Sequence, residues 1–488
     1  MQIKIRGAVL VVVVMAVLSA CIPALQAQTY TVLHNFRGTY GDARVPSTSS
    51  VIAQGRDGNM YSTTPDGGID SLVFRITPAG AERELPFHFF PAEFPADSGL
   101  TFATDGNFWG TTEGYQFWGL PGIIFKMNAA GNVVEYNVFG GTDQVNGNSS
   151  TAPPVQGRDG NFYGTTSAGG NIQLCAYGNG GCGVIYRFTA LGQYKVLHTF
   201  DQEDGANPYD ALVLGGEGNF YGTTQLGGAA NAGVVFKITP SSGRYSTLYT
   251  FCSQANCADG ANPYDALIKG ADGNFYGTTQ NGGSGILPDG VVFKLTPAGQ
   301  YTVLYNFCSE SNCTDGANPL AGLVQATDGN FYGTTVSGGA SNFGTIYQIT
   351  PDGHYTVLHS FDNSDGANPA TTPVQNTNGI LYGTTAAGGQ SFFYCGPGCG
   401  VFYSVDMGLS PFVTLVNWYA SVGQPVTILG QGLNATTQVS FNGVPATFTV
   451  KADTYLSATV PAGAADGLVT VTTAGGTLTS NKVFRVKP

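Results

Sequence analysis

One phrase, Asp-Gly-Asn-Phe-Tyr-Gly-Thr-Thr, recurs through this chain with small variations at Asp57, Asp105, Asp159, Glu217, Asp272, Asp328 and Asn378. Successive copies are spaced by 48, 54, 58, 55, 56 and 50 residues. A period near fifty residues marks a repeat architecture in which neighbouring units share one assembly. The fifth copy shows the unit plainly. A short apolar run, Ala266 to Lys269, precedes the turn at Asp272-Gly273-Asn274; then come Phe275 to Thr279, a Gly-Gly loop, Gly290 to Thr296, a Pro-Ala-Gly turn and Tyr301 to Phe307. Each segment is rich in β-branched and aromatic residues and is bounded by turn residues, so each reads as a strand. Four antiparallel strands per unit, a to d, make up a propeller blade.

The two ends of the repeat region predict how many blades there are. Strands a, b and c occur seven times, but the last copy stops after Val401 to Val405 with no strand d behind it. The missing strand stands at the other end, where Tyr30 to Phe36 resembles Tyr301 to Phe307 and has no a, b or c of its own. The simplest solution is an all-β ring of seven blades closed by the N-terminal strand, which also removes open sheet edges. Strand d is degenerate at Glu84 to Phe90 and at Val133 to Phe139.

Composition agrees. Charged residues are 10% of 488 and hydrophobic residues 42%, with 71 glycines, which suits short strands and tight turns. The net charge of −12 comes without a Lys/Arg cluster beyond the leader, so nucleic acid is not an expected partner. At the N-terminus, Lys4 and Arg6 precede an apolar stretch from Ala8 to Ala20, which reads as an export signal over residues 1–27. Two endings compete. Leu18-Ser19-Ala20-Cys21 resembles a lipobox, with Cys21 as the lipidation candidate, while Ala27 suits an ordinary signal-peptidase cut. An exported bacterial protein is expected either way, secreted, periplasmic or at the cell surface, touching membrane only through such a lipid. A monomer is expected.

The other eight cysteines form four close pairs, Cys175/Cys182, Cys252/Cys257, Cys308/Cys313 and Cys395/Cys399. Local pairs without a nearby histidine predict disulfides in an oxidising compartment rather than zinc ligands. Connectivity sorts the loops onto two faces. The a–b and c–d turns share one, with near-uniform Asp-Gly-Asn and Thr-Pro-x-Gly sequences. The b–c and d–a loops share the other, with every cysteine pair and the Asp-Gly-Ala-Asn-Pro segments. Function concentrates where loops vary on a rigid scaffold, so this second face is the expected binding face.

The repeat core and its following Gly-Gly, over roughly residues 30–405, resemble the tandem-repeat family called GloVer, whose members end in differing surface-attachment signals ("choice-of-anchor"). The resemblance implies an exported, propeller-like protein and brings no established activity. Residues 410–488 resemble an IPT/TIG domain, an immunoglobulin-like sandwich, through Gly423 to Leu433, Val439 to Ala446, Val460 to Gly463, Val469 to Val471 and Phe484. The expected organisation is therefore a signal at 1–27, a propeller at 28–406 and a sandwich at 410–488.

No catalytic residue is nominated. The oxygens of Asp201, Asp204 and Asn207, and of Asp259, Asn262, Asp315, Asn318, Asp365 and Asn368, are weak candidates for a ligand or for Ca²⁺, which favours several oxygen donors. The same residues are ordinary turn chemistry. No cofactor is expected to be required. His34, His198 and His359 take the strand-d position that Tyr249 and Tyr305 take elsewhere, so they are expected to fill a packing slot. His88 and His354 are expected to lack an acidic or cysteine partner. Two functions remain. One is a non-enzymatic exported binding or scaffold protein that engages carbohydrate or a surface protein. The alternative is a polysaccharide-active hydrolase or lyase with a carboxylate pair in the propeller channel.

Overall fold

The computed structural model describes residues 28–37, 51–64, 72–88, 98–113, 122–139 and 145–487, except 172, 174, 176–179, 393–394 and 396–397. The expected export signal, with Cys21, lies outside the described residues. Seven four-stranded antiparallel sheets form the repeat region. In blade 5, Ile268–Lys269, Phe275–Thr279, Val291–Leu295 and Tyr301–Asn306 are strands a to d. Blade 7 is composite. Val374–Gln375, Leu381–Thr384 and Val401–Asp406 are completed by Thr29–Asn35, with Tyr30 opposite Val405 and Val32 opposite Tyr403. The seven-bladed propeller expected from the strand count, including its closure, is the fold. The degenerate outer strands Glu82–His88 and Val133–Asn137 pair in the ordinary way with their strands c.

Each letter of the repeated phrase has a physical task. Asp272 accepts from the Asn274 amide nitrogen at 3.0 Å and from the Tyr276 hydroxyl at 2.7 Å, which ties the turn to its own strand b. The same bond joins Asp57 to Tyr61, Asp159 to Tyr163 and Asp328 to Tyr332 at 2.8 Å. Gly273 sits at φ 85°, where a side chain would strain the turn. Phe275 packs on Tyr221 of the preceding blade, centroids 4.1 Å apart, and the step repeats at Tyr276–Phe331. A Cβ on Gly277 would meet the Phe293 ring at 2.7 Å, so the strand-c aromatic requires glycine there. Thr278 donates to the Ala321 carbonyl of the next blade at 3.2 Å, and Thr279 caps its own b–c loop at the Asn281 carbonyl at 2.9 Å. The phrase is the wiring of a blade and of its joint to the next.

A second joint runs along the outer strands. Tyr301 stacks on Tyr249 of the preceding blade at 3.9 Å and donates to the Asp259 carbonyl at 2.6 Å. Tyr245 does the same with His198 (4.0 Å) and the Asp204 carbonyl (2.6 Å), and Tyr355 stacks on Tyr305 at 3.8 Å. At the closure, Tyr30 stacks on His359 at 3.8 Å and donates to the Asp365 carbonyl at 2.7 Å. The closing joint therefore repeats the joints between continuous blades. The histidines fill the slot shared with tyrosine, as expected, and also reach an acid. His198 and His359 stand 2.8 Å from the Asp204 and Asp365 carboxylates. His354 corrects an expectation: its Nδ1 lies 3.3 Å from Asp352 on an exposed c–d turn.

The C-terminal sandwich consists of two four-stranded sheets and one parallel pair, Tyr419–Ala420 with Arg485–Val486. Val426, Ile428, Phe441, Leu456, Val471 and Phe484 are fully buried between the sheets. The sandwich docks on the turn face of the ring. Thr454 donates to the Arg56 carbonyl at 2.5 Å, Gln431 donates to Thr377 Oγ1 at 3.3 Å, and the Phe412 amide donates to the Thr377 carbonyl at 3.1 Å. The Arg158 guanidinium lies 5.2 Å from the Trp418 ring centre and 4.7 Å from that of Tyr419. Burial, aided by the charges of Arg485 and Arg158, holds the Lys269 ammonium below the ordinary lysine range. The hydrogen bonds and ring contacts come from blades 7, 1 and 3, and the charge of Arg485 acts on Lys269 of blade 5, so the sandwich lies across the turn face.

Replacing Tyr30 by Ala removes the closing stack and its hydrogen bond, at a cost of roughly 3 kcal/mol. Tyr30→Phe keeps the stack and loses only about 1 kcal/mol. Chemical unfolding of the three proteins should rank them in that order, and equal midpoints would remove the closure from the stability argument. Asp272 supplies an acid-side expectation. Burial alone would raise its pKa, but hydrogen bonds from Lys294, Tyr276 and Asn274 outweigh that and pull it down to about 2. A depressed carboxyl stabilises the fold above its unfolded pKa, and the gain disappears as pH falls from about 4 towards 2. The side chain is more than a third exposed, so the contribution is about 1 kcal/mol at most. Asp272→Asn should flatten the unfolding midpoint against pH in that window by this amount.

Candidate functional site

The face opposite the sandwich is built by the d–a crossings and the b–c loops. Asn207, Asn262, Asn318 and Asn368 take left-handed φ values of 55°, 57°, 54° and 53° just before proline, which turns the chain from one blade into the next. Their side-chain amides reach the b–c loop of the blade behind. Asn207 donates to the Ser167 carbonyl at 2.8 Å, Asn262 to Gln225 at 3.1 Å and Asn368 to Val336 at 2.8 Å, while Asn318 reaches Ser337 Oγ at 3.3 Å.

The acids of the crossings are braced the same way. Asp259 accepts from the Tyr249 hydroxyl at 2.6 Å, from Ser253 Oγ at 2.7 Å and from the Ser253 and Gln254 amides. Burial opposes ionisation of Asp259, but these donors win and lower its pKa. Asp315 likewise accepts from the Tyr305 hydroxyl and from the Ser309 and Glu310 amides, while the Ser309 hydroxyl turns to the Asn306 carbonyl. Asp201 and Asp204 exchange backbone-to-carboxylate bonds at 3.1 Å, and Asp365 takes the Asp362 amide at 3.0 Å. The structure thus gathers these candidates into separate crossings, each saturated by its own turn, rather than into one site.

The four cysteine pairs form disulfides, Cys175–Cys182, Cys252–Cys257, Cys308–Cys313 and Cys395–Cys399. All four lie on this face, where they pin short loops and suit an oxidising environment. Asp289 lies beside Cys308 and Cys313, but both sulfurs are committed to their mutual bond and offer no thiolate to a metal. On the opposite face, a cavity of about 420 Å³ between blades 1 and 2 is lined by Asp57, Arg75, Arg83 and Leu85. Its Asp57 already serves the turn and lies 3.8 Å from Arg75.

Sequence reasoning did not single out the residues that meet at the axis. The stretch Asn-Pro-Tyr-Asp-Ala-Leu occurs at 207–212 and again at 262–267, just ahead of strand a in blades 4 and 5. Ala321 and Thr371 stand at the acid's position in blades 6 and 7, so the signal was an acid replacing small residues beside an innermost strand. Asp265 accepts from the Ala266 amide at 2.6 Å, from Thr372 Oγ1 of blade 7 at 2.7 Å and from the Gly322 amide of blade 6. A blade-5 residue touching blade 7 lies at the centre of the ring. Burial, then the charge and hydrogen bond of Asp265, push the Asp210 carboxyl well above the usual carboxylate range. The two acids hold equivalent positions in neighbouring blades, and the charge of one acts on the other. Beside them, the partly exposed rings of Tyr209 and Tyr264 stack at 5.3 Å with planes 16° apart.

Comparison with known proteins agrees with this architecture. Residues 172–396 match the Gloeobacter/Verrucomicrobia repeat, and residues 411–486 match the IPT/TIG domain. Among solved structures, the chain is similar to a streptogramin B lyase, with 13% identity and a TM-score of 0.50, over 78% of this chain and 98% of that one. It is also similar to a fungal alcohol oxidase of the AA5 family in complex with copper, with 13% identity and a TM-score of 0.51, over 92% of this chain and 100% of that one. At such identity the likeness concerns the fold alone. No curated protein matches the chain in sequence. The chain thus carries Gloeobacter/Verrucomicrobia repeats, folded as propeller blades, joined to a C-terminal IPT/TIG domain.

Proposed function

We propose that this is an exported, non-enzymatic binding protein that takes carbohydrate on the face built by the d–a and b–c loops. One observation carries the reading. The sandwich occupies the turn face, through Arg56, Thr377 and Arg158, and leaves the disulfide-pinned loop face as the broad surface for a partner. The paired rings of Tyr209 and Tyr264, near the centre of that face, form a stacking platform for a sugar ring. The burial of Asp210 and Asp265, and the hydrogen bonds that Asp265 already accepts, weigh against the hydrolase reading, because neither carboxyl is offered to a sugar. Four disulfides fit an export route.

A glycan array probed with the mature chain tests this reading. Binding to a defined set of glycans is expected, and replacing Tyr209 and Tyr264 together by Ala should weaken it about tenfold, the equivalent of one good aromatic contact. Uniformly blank arrays would exclude carbohydrate as the ligand. Glycan turnover by the unaltered chain would restore the enzymatic alternative.

A further inference from the structure

The axis holds polar atoms that its own hydrogen bonds do not satisfy. Asp265, Thr372 and the Gly322 amide form a cluster drawn from three blades. Asp210 holds the position equivalent to Asp265 one blade earlier, next to a tyrosine that stacks on Tyr264; it is 7% exposed, and its Oδ2 has no hydrogen-bond partner among the described residues. A second unpartnered atom lies close by. Tyr347 is fully buried, its hydroxyl has no partner among the described residues, and it lies near enough to Asp265 for that charge to act on it. Buried polar groups left unpaired cost about 1–3 kcal/mol each, and two carboxyls forced together repel once both ionise. A positive occupant with hydration of its own would relieve all three at once. The donors are hard oxygens, which suits Ca²⁺ and not a soft transition metal.

We propose that a Ca²⁺ ion binds on the propeller axis between Asp210 and Asp265, with Thr372 as a third oxygen ligand and Tyr347 bonded to the ion's water. The site differs from the crossing acids Asp204, Asp259, Asp315 and Asp365 in the buried Asp210 Oδ2, which is unpartnered among the described residues, and in drawing its ligands from three blades rather than from one turn. It sits beneath the Tyr209–Tyr264 platform and stitches together the crossings into blades 4, 5 and 7.

Titration of the chelator-treated mature chain with Tb³⁺, excited through tyrosine, tests the proposal. One ion per chain should bind, Ca²⁺ should displace it, and Ca²⁺ should raise the thermal unfolding midpoint in a way that chelator reverses. Asp210→Asn should weaken Ca²⁺ at least tenfold, whereas Asp365→Asn should leave it unchanged. Tyr347→Phe should dim the luminescence while changing affinity less. If Asp210→Asn does not fold, Thr372→Val provides the same affinity readout. Absence of any Tb³⁺ or Ca²⁺ response in the unaltered chain would overturn the proposal and leave the carboxyls holding a shared proton. Loss of the response in Asp365→Asn but not in Asp210→Asn would also overturn it, by moving the ion to a crossing.

Discussion

The ring leans on one contact made at four of its seven joints, a tyrosine near the start of the outer strand lying flat on an aromatic ring of the blade before it. Tyr245, Tyr301, Tyr355 and Tyr30 each make the stack, and all four donate their hydroxyl to an aspartate carbonyl in the intervening crossing. The contact bonds strand, blade and loop together, so the loop face inherits its shape from the outer rim. The aspartate that offers its carbonyl outward also turns its carboxylate back to the supporting ring, as Asp259 does to Tyr249. Packing and polar satisfaction thus depend on the same residue. That is why histidine and tyrosine interchange here: each presents a flat ring and one hydrogen-bonding atom at its tip.

Much of this was legible in the sequence because a repeat prints its own architecture. Strand boundaries, blade number and the closing segment at Tyr30 to Phe36 followed from turn residues and from counting. The sorting of loops onto two faces followed from connectivity. The bracing role of the crossing acids was legible only as a choice between turn and ligand, since Asp-Gly and Asn-Pro serve both and only the donors around Asp259 and Asp315 show what holds them. The axial acids were not legible. Asp210 and Asp265 are 55 positions apart, and their proximity arises from ring geometry that no local pattern encodes. The docking of the sandwich was likewise hidden, because Arg158, Trp418 and Tyr419 carry no motif.

The two ends of the axis differ in chemistry. On the turn side sits a domain held through backbone carbonyls and an arginine laid on aromatic rings. On the loop side it ends in buried oxygens and a pair of tyrosines. A wholly polar contact would be costly to dehydrate and a wholly apolar one would not specify orientation, so the docked end combines ring contacts with directed hydrogen bonds.

The composite last blade has a consequence for how the chain is made. The Tyr30–Asp365 bond joins residues 335 positions apart, and it can form only after the other six blades have been synthesised. Until then the first strand is an unpaired edge with no partner of its own. Closure of the ring is therefore a late, long-range step, and that edge stays open to other chains until it happens.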